Sequence, residues 1–285
     1  MKTMAILALM AAALSAAHQA AAEPVPADPV ERCRGILQAI PPLTHAAAKA
    51  ERIEPVGSDG CRFTGVTGES GRRKISIGLI LAERLDFGRI YSGRLPDAVT
   101  LRVQDIMLGG DDMPSGFGPI DFIADYDLDA RAKVFTLREL TLRGASLGEL
   151  TLSGEVEGYS LPAHGGFWPV EDQGAVRLRQ FRLHAVDRGF ISMLLLGQSS
   201  SGRDVQAAVD DVKSDMSTNL ARWPAFGVPK PAVEALTAYV GDLPSPRRPI
   251  TISAAPGMPI PVNWLDPFDP RLRQTMERLN LIVAY

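Results

Sequence analysis

Gly144-Ala-Ser146-Leu-Gly148 has the G-x-S-x-G spacing of a nucleophile elbow, where a serine on a sharp turn presents its hydroxyl and nearby amides hold developing negative charge. His164-Gly-Gly-Phe167 would then supply an oxyanion loop, and Asp172 and His184 would complete a triad with Ser146. The surroundings argue against that chemistry. An elbow needs a strand before the serine and a helix after it, yet apolar alternation flanks Ser146 on both sides. In such enzymes the oxyanion loop precedes the serine, and here it follows. A hairpin turn in which the glycines supply positive φ explains the segment better. No catalytic residue is assigned, and a serine hydrolase ranks last among the function classes considered.

Asp125-Tyr-Asp127-Leu-Asp129 has the alternating oxygens that open a calcium loop. Ala130 stands where that loop needs glycine, and Thr136 occupies its twelfth position in place of glutamate. The solvated side of a strand that turns Tyr126 and Leu128 inward accounts for the same pattern. Outside the N-terminal leader the histidines are His45, His164 and His184, none with a second ligand at zinc spacing. No metal site and no cofactor is expected. Arg177, Arg179, Arg182 and Arg188 could hold phosphates bidentately, although a wet strand face is the simpler origin of such a run.

These residues need a scaffold and a compartment. Lys2, the apolar run from Met4 to Leu14 and Ala20-Ala21-Ala22 predict a cleavable secretory signal over residues 1–22, cut before Glu23. No cysteine lies at the cut, so lipidation there is not expected. The formal charge is −3, and loss of Lys2 makes the chain one unit more acidic. That balance disfavours a nucleic-acid partner. Beyond the leader the longest apolar run is Phe190 to Leu196, too short for a transmembrane helix. Arginine outnumbers lysine 24 to 6, which reads as genome composition and carries no mechanism. The two cysteines, Cys33 and Cys61, are expected to form a disulfide in the periplasm; a free redox pair would have C-x-x-C spacing.

A chain of 285 residues allows one domain or two; the reading adopted is a single α+β domain over 23–285 with a helical insertion at about 187–241. Residues 29–53 read as helical, interrupted at Pro41-Pro42, and then the period drops to two. Lys74 to Leu81 alternates through Ile75, Ile77, Leu79 and Leu81, and Ile120 to Leu128 alternates again. One unit recurs three times: Leu101, Val103, Ile106, Leu108; Phe135, Leu137, Leu140, Leu142; Val176, Leu178, Phe181, Leu183. A step of three inside a period of two turns the later side chains to the wrong face unless the strand kinks or bulges. Each copy therefore predicts a bent strand. Leu147, Leu150 and Leu152 continue the pattern beyond Gly144 as the second arm of a hairpin. The fold expected is a curved antiparallel β-sheet, covered by a helical segment, whose other face carries Arg138, Glu139, Arg177, Arg179 and Arg182. Phe190 to Leu196 and the stripe Val205, Val209, Val212, Met216, Leu220 predict helices, as does Pro231 onward to Val240. Strand at 250–254, helix at 271–279 and strand at 281–285 close the chain. The alternation Leu279, Leu281, Val283, Tyr285 is similar to the terminal signature of outer-membrane barrels, but 22 prolines, 6% aromatics and amphipathic helices do not fit spanning strands.

The run Thr136-Leu-Arg-Glu-Leu-Thr-Leu142, turning through Gly144-Ala-Ser-Leu-Gly148 into Glu149-Leu-Thr-Leu-Ser-Gly154, resembles the repeats of AsmA-like envelope proteins and exported alphaproteobacterial families of unassigned function. The likeness covers roughly residues 99–185. AsmA-like proteins shield lipid chains in a long groove; here the inward face of the bent strands, with Leu137, Leu140, Leu178 and Phe181, is the apolar surface that could face such a ligand. That surface is either a core sealed by the helices or a groove, and the sealed core is the favoured expectation, because the helices at 190–196 and 205–220 each carry an apolar stripe that needs a partner. The leading expectation is a non-enzymatic periplasmic protein that binds a lipid, another amphiphile or an envelope protein. The alternative is a structural or interaction protein of the envelope with no small ligand.

Overall fold

The computed structural model describes residues 24–37, 48–70, 73–92, 94–109, 118–159, 175–189, 205–266 and 269–285. Among the described residues the architecture is α+β, with five α-helices and an antiparallel sheet of eleven strands. The chain divides into two compact units, Met1–Arg138 with Tyr159–Asp172, and Glu139–Gly158 with Gln173–Tyr285.

In the first unit, α1 (Pro29–Leu37) is followed by β1 (Arg52–Val56), β2 (Gly60–Ser70), β3 (Arg73–Glu83), the short α2 (Phe87–Tyr91), β4 (Ala98–Gly109) and β5 (Ile120–Asp129). The strands pair antiparallel in chain order. Of the helix expected over 29–53, Pro29–Leu37 is helical and residues 48–53 are not; residues 38–47 lie outside the described residues. Lys49 and Thr67 exchange amide bonds of 2.8 Å, and Arg52 opens β1. The ladder offered by β2 overrides the helical propensity of the alanine-rich segment. Pro55 is tolerated because β1 is an edge strand and needs no donor on its outer side. Cys33 and Cys61 are joined in a disulfide that ties α1 to β2. Cys61, Phe63, Val66, Ile77 and Ile80 are all at most 2% exposed and form the heart of this core.

Two of the three predicted bends, those of the first and third copies, coincide with register shifts. Between Val103 and Ile106 the β4–β5 register slips by one residue, the mark of a bulge. Asp105 sits there at φ 56, and it lies in register with Gly78 and Gly65, the latter at φ 60. One kink therefore crosses β2, β3 and β4. It also corrects the simple alternation of β3: Ile77 is inward, but after Gly78 the buried residues are Ile80 and Ala82, so Leu79 and Leu81 move to the other face.

The first residues of β6 (Val134–Gly144) belong to the first unit and the remainder to the second. The second unit continues with β7 (Gly148–Glu157), β8 (Arg177–Asp187), α3 (Val205–Leu220), α4 (Lys230–Asp242), β9 (Ile250–Ala254), β10 (Ile260–Pro261), α5 (Leu272–Arg278) and β11 (Ile282–Ala284). Strands β7, β8, β9 and β11 pair antiparallel in that order, and β10 pairs with β8. The third bent copy carries a register shift at Glu155/Val156, opposite the Leu178 to Phe181 step. As its apolar stripe predicts, α3 buries Val209 and Leu220, while α4 starts with Pro231 in its first turn, where a missing amide costs nothing. Leu220, Leu236, Val240, Leu243 and Ile250 form one cluster, with Ala185, Ile252 and Val283 of the strands packed against it. The helix expected at Phe190 to Leu196 lies outside the described residues.

Candidate functional site

In the first unit the carboxylates singled out as a calcium-loop opening are taken up by guanidinium groups. Arg84, held at φ 61 just beyond β3, donates to Asp125 (2.5 Å), Asp127 (2.8 Å), Thr100 Oγ1 (3.0 Å) and the Val99 carbonyl (3.0 Å). Arg138 reaches the same pair, Asp125 at 3.0 Å and also Asp127. Asp129 accepts the amides of Arg131 and Ala132 and so closes the β5–β6 turn. Two cations and two anions, all partly exposed, satisfy one another, which removes the free oxygens a cation would need. Among the described residues no three side chains are grouped to hold a metal ion. An open depression of about 400 Å³ beside Arg84 is lined by Val56, Gly57, Asp59, Glu83 and Thr100. In the same unit the rings of Tyr126, Phe135 and Tyr159 pack in sequence, tilted, with centroids 5.5 and 5.2 Å apart. Burial pushes the Tyr159 phenol up to about 12. Tyr126 is raised too, first by burial and then by the neighbouring Tyr159 and Asp97.

In the second unit Ser146 occupies the turn between β6 and β7, with the Leu147 amide donating to the Gly144 carbonyl at 3.1 Å. Gly148 has φ 96, and a Cβ there would stand 1.7 Å from the Val186 carbonyl oxygen. The G-x-S-x-G glycines thus serve hairpin geometry, and a strand, not a helix, follows the serine. His184 sits in mid-strand opposite Thr151 and Thr251, its Nδ1 2.9 Å from Thr251 Oγ1. His45, His164 and Asp172 lie outside the described residues.

The two faces of this sheet differ. Thr141 and Thr151 hydroxyls are 3.1 Å apart, which places both on one face and puts Leu140, Leu142, Leu150 and Leu152 on the other. On the polar face Arg179 pairs with Glu155 at 2.7 Å, and both Arg177 and Arg179 approach Glu157 at 3.9 Å. Arg182 is exposed and has no ion-pair partner among the described residues. On the apolar face Leu178 and Phe181 are half-buried against Ala254, Ile260 and Leu279, with Met276 of α5 alongside. Leu140, Leu142, Leu150, Leu152 and Val156 are half-buried as well, and after Gly148 no residue of β7 is fully buried. Leu137, in the first unit, is also half-buried. Of the four apolar candidates, Leu178 and Phe181 therefore meet in one cluster, and Leu140 belongs to a strip of aliphatic side chains on β6 and β7.

Two features had no short-range signal. Arg84 lies 41 and 43 residues from its aspartates, and nothing local marks it. The C-terminal Tyr285 hydroxyl donates to Asp242 at 2.5 Å and its ring stands edge-on to Tyr239 at 5.4 Å, closing the helical side of the unit. Among the described residues no helix is long and apolar enough to cross a membrane. No protein-family model matches the chain, and no curated protein matches it.

Proposed function

We propose that this chain is an exported, non-enzymatic protein of the periplasm that binds an amphiphile along the aliphatic strip of β6 and β7. The observation that carries the reading is the half-burial of Leu140, Leu142, Leu150, Leu152 and Val156 on one sheet face. Five such side chains left partly in water each retain apolar surface worth about 25 cal/mol per Å² to a ligand that covers it. Leu178 and Phe181, by contrast, hold the α5 cover in place, so the ligand-facing role falls to Leu140 and its strip neighbours. The resemblance of residues 99–185 to AsmA-like proteins points the same way. The disulfide suits an oxidising compartment, and the elements around Ser146 and Asp125 serve a turn and an ion-pair network, which favours binding over catalysis.

The test is to express the chain for export, purify it without detergent and extract it for lipid mass spectrometry. A reproducible near-stoichiometric amphiphile, lost in Leu140→Asp or Leu152→Asp variants that remain folded, is the expected result. Repeated absence of any bound amphiphile would favour a structural or interaction protein of the envelope without a small ligand.

A further inference from the structure

The opposite face of the same sheet carries rows of polar side chains that cross four strands. Strand register sets Ser153, Arg182, Ser253 and Ile282 side by side across β7, β8, β9 and β11. The neighbouring row is Thr151, His184, Thr251 and Ala284. Residues directly opposite in antiparallel strands share a face, and so do residues two apart on one strand. Arg182 and His184 of β8 therefore stand among hydroxyls from both flanking strands. Arg177 and Arg179, further along β8, are matched by Glu155 and Glu157, whereas Arg182 has serines where a carboxylate would sit. The acids on this face are Glu139 on β6, which accepts from the Thr141 hydroxyl at 2.8 Å, Glu149, which lies beyond the Thr151 row, and Glu155 and Glu157, which face Arg179 and Arg177.

A planar guanidinium flanked by two hydroxyls offers a fork of donors to a tetrahedral oxyanion. The same row ends on Ile282, an aliphatic side chain 64% exposed. A free, strongly hydrated phosphate makes no use of that residue, and the acidic chain repels a dianion. A phosphodiester monoanion attached to an acyl chain uses both ends of the row. We propose that this face binds the phosphoryl headgroup of an anionic phospholipid at Arg182, Ser153 and Ser253, with hydrocarbon against Ile282. This site is distinct from the β6 and β7 strip and does not depend on that strip being occupied.

Cosedimentation of the whole secreted protein with vesicles of phosphatidylglycerol in phosphatidylcholine, against phosphatidylcholine alone, tests it. Binding is expected only with phosphatidylglycerol. Arg182→Ala and Ile282→Ser should each weaken it by about tenfold, the scale of one lost charge-assisted contact. Arg273→Ala removes the same charge from an ion pair on α5 and should stay within about twofold, and Leu140→Asp should leave vesicle binding unchanged while removing any amphiphile from the strip. Far-UV circular dichroism verifies that each variant is folded. Equal binding to both vesicles, or Arg182→Ala no weaker than Arg273→Ala, overturns the assignment. Displacement by inorganic phosphate without any vesicle preference overturns the lipid as the occupant.

Discussion

Phe181→Ala and Leu140→Ala probe the cluster at α5 and the strip proposed to take a ligand, and their difference is the quantity of interest. Phe181 packs among Ala254, Ile260 and Leu279, with Leu178 and Met276 beside it. Full truncation of a buried phenylalanine costs about 3 to 5 kcal/mol. Since Phe181 keeps part of its surface in water, about 2 to 3 kcal/mol is expected. Leu140 is also half-buried, and against a sealed interior value of about 2 to 5 kcal/mol its truncation should cost only about 1 kcal/mol. An amphiphile at about a hundred times its dissociation constant should stabilise the parent by about 2.7 kcal/mol, and Leu140→Ala should lose part of that gain. Trp223, packed against the helix cluster, and Trp264, under the Arg271 guanidinium, supply the fluorescence signal for urea unfolding of this unit with and without amphiphile. If Leu140→Ala costs as much as Phe181→Ala and no amphiphile raises the midpoint of the parent, the strip is sealed core and the binding proposal fails.

Three further outcomes are expected. Because Cys33 and Cys61 are 28 residues apart, replacing both with serine should destabilise the first unit by about 3 to 4 kcal/mol on the chain-entropy account, read from urea unfolding, and denatured exported protein should titrate without free thiol. Gly148→Ala introduces a Cβ against the Val186 carbonyl at φ 96 and should cost at least about 2 kcal/mol, whereas Ser146→Ala should be nearly neutral and Ser146 should resist a fluorophosphonate probe. For Tyr159 the folded phenol is raised to about 12 from 10.0, so its contribution is fully present below pH 10 and is lost as pH rises through 12, in total about 2 kcal/mol; Tyr159→Phe should flatten that alkaline decline, followed by unfolding midpoints between pH 9 and 12.

The bent strands were legible in the residues because a side-chain period of two cannot absorb a step of three without a kink, and the bulges at Val103/Ile106 and opposite Leu178 to Phe181 fall on those steps. The hairpin at Gly144 to Gly148, the stripe of α3 and the Cys33–Cys61 bond follow equally from local pattern and pair counting. The candidate site was legible only in part: Leu140, Leu178 and Phe181 could be assigned to an apolar face, but not divided between the cluster beside α5 and the strip on β6 and β7. That division depends on where α3, α4 and α5 dock, a matter of long-range packing to which periodicity is blind. The same holds for Leu79 and Leu81, which pass to the wet face because Gly78 shares a kink with Gly65 and Asp105 of neighbouring strands. It holds for residues 48–53, where a ladder with β2 outweighs helical propensity, and for Arg84, whose aspartates lie two strands away in β5. Local chemistry sets the rhythm of each element by itself, whereas the partner that satisfies an amide, a charge or an apolar face is chosen only when distant strands and helices come into register.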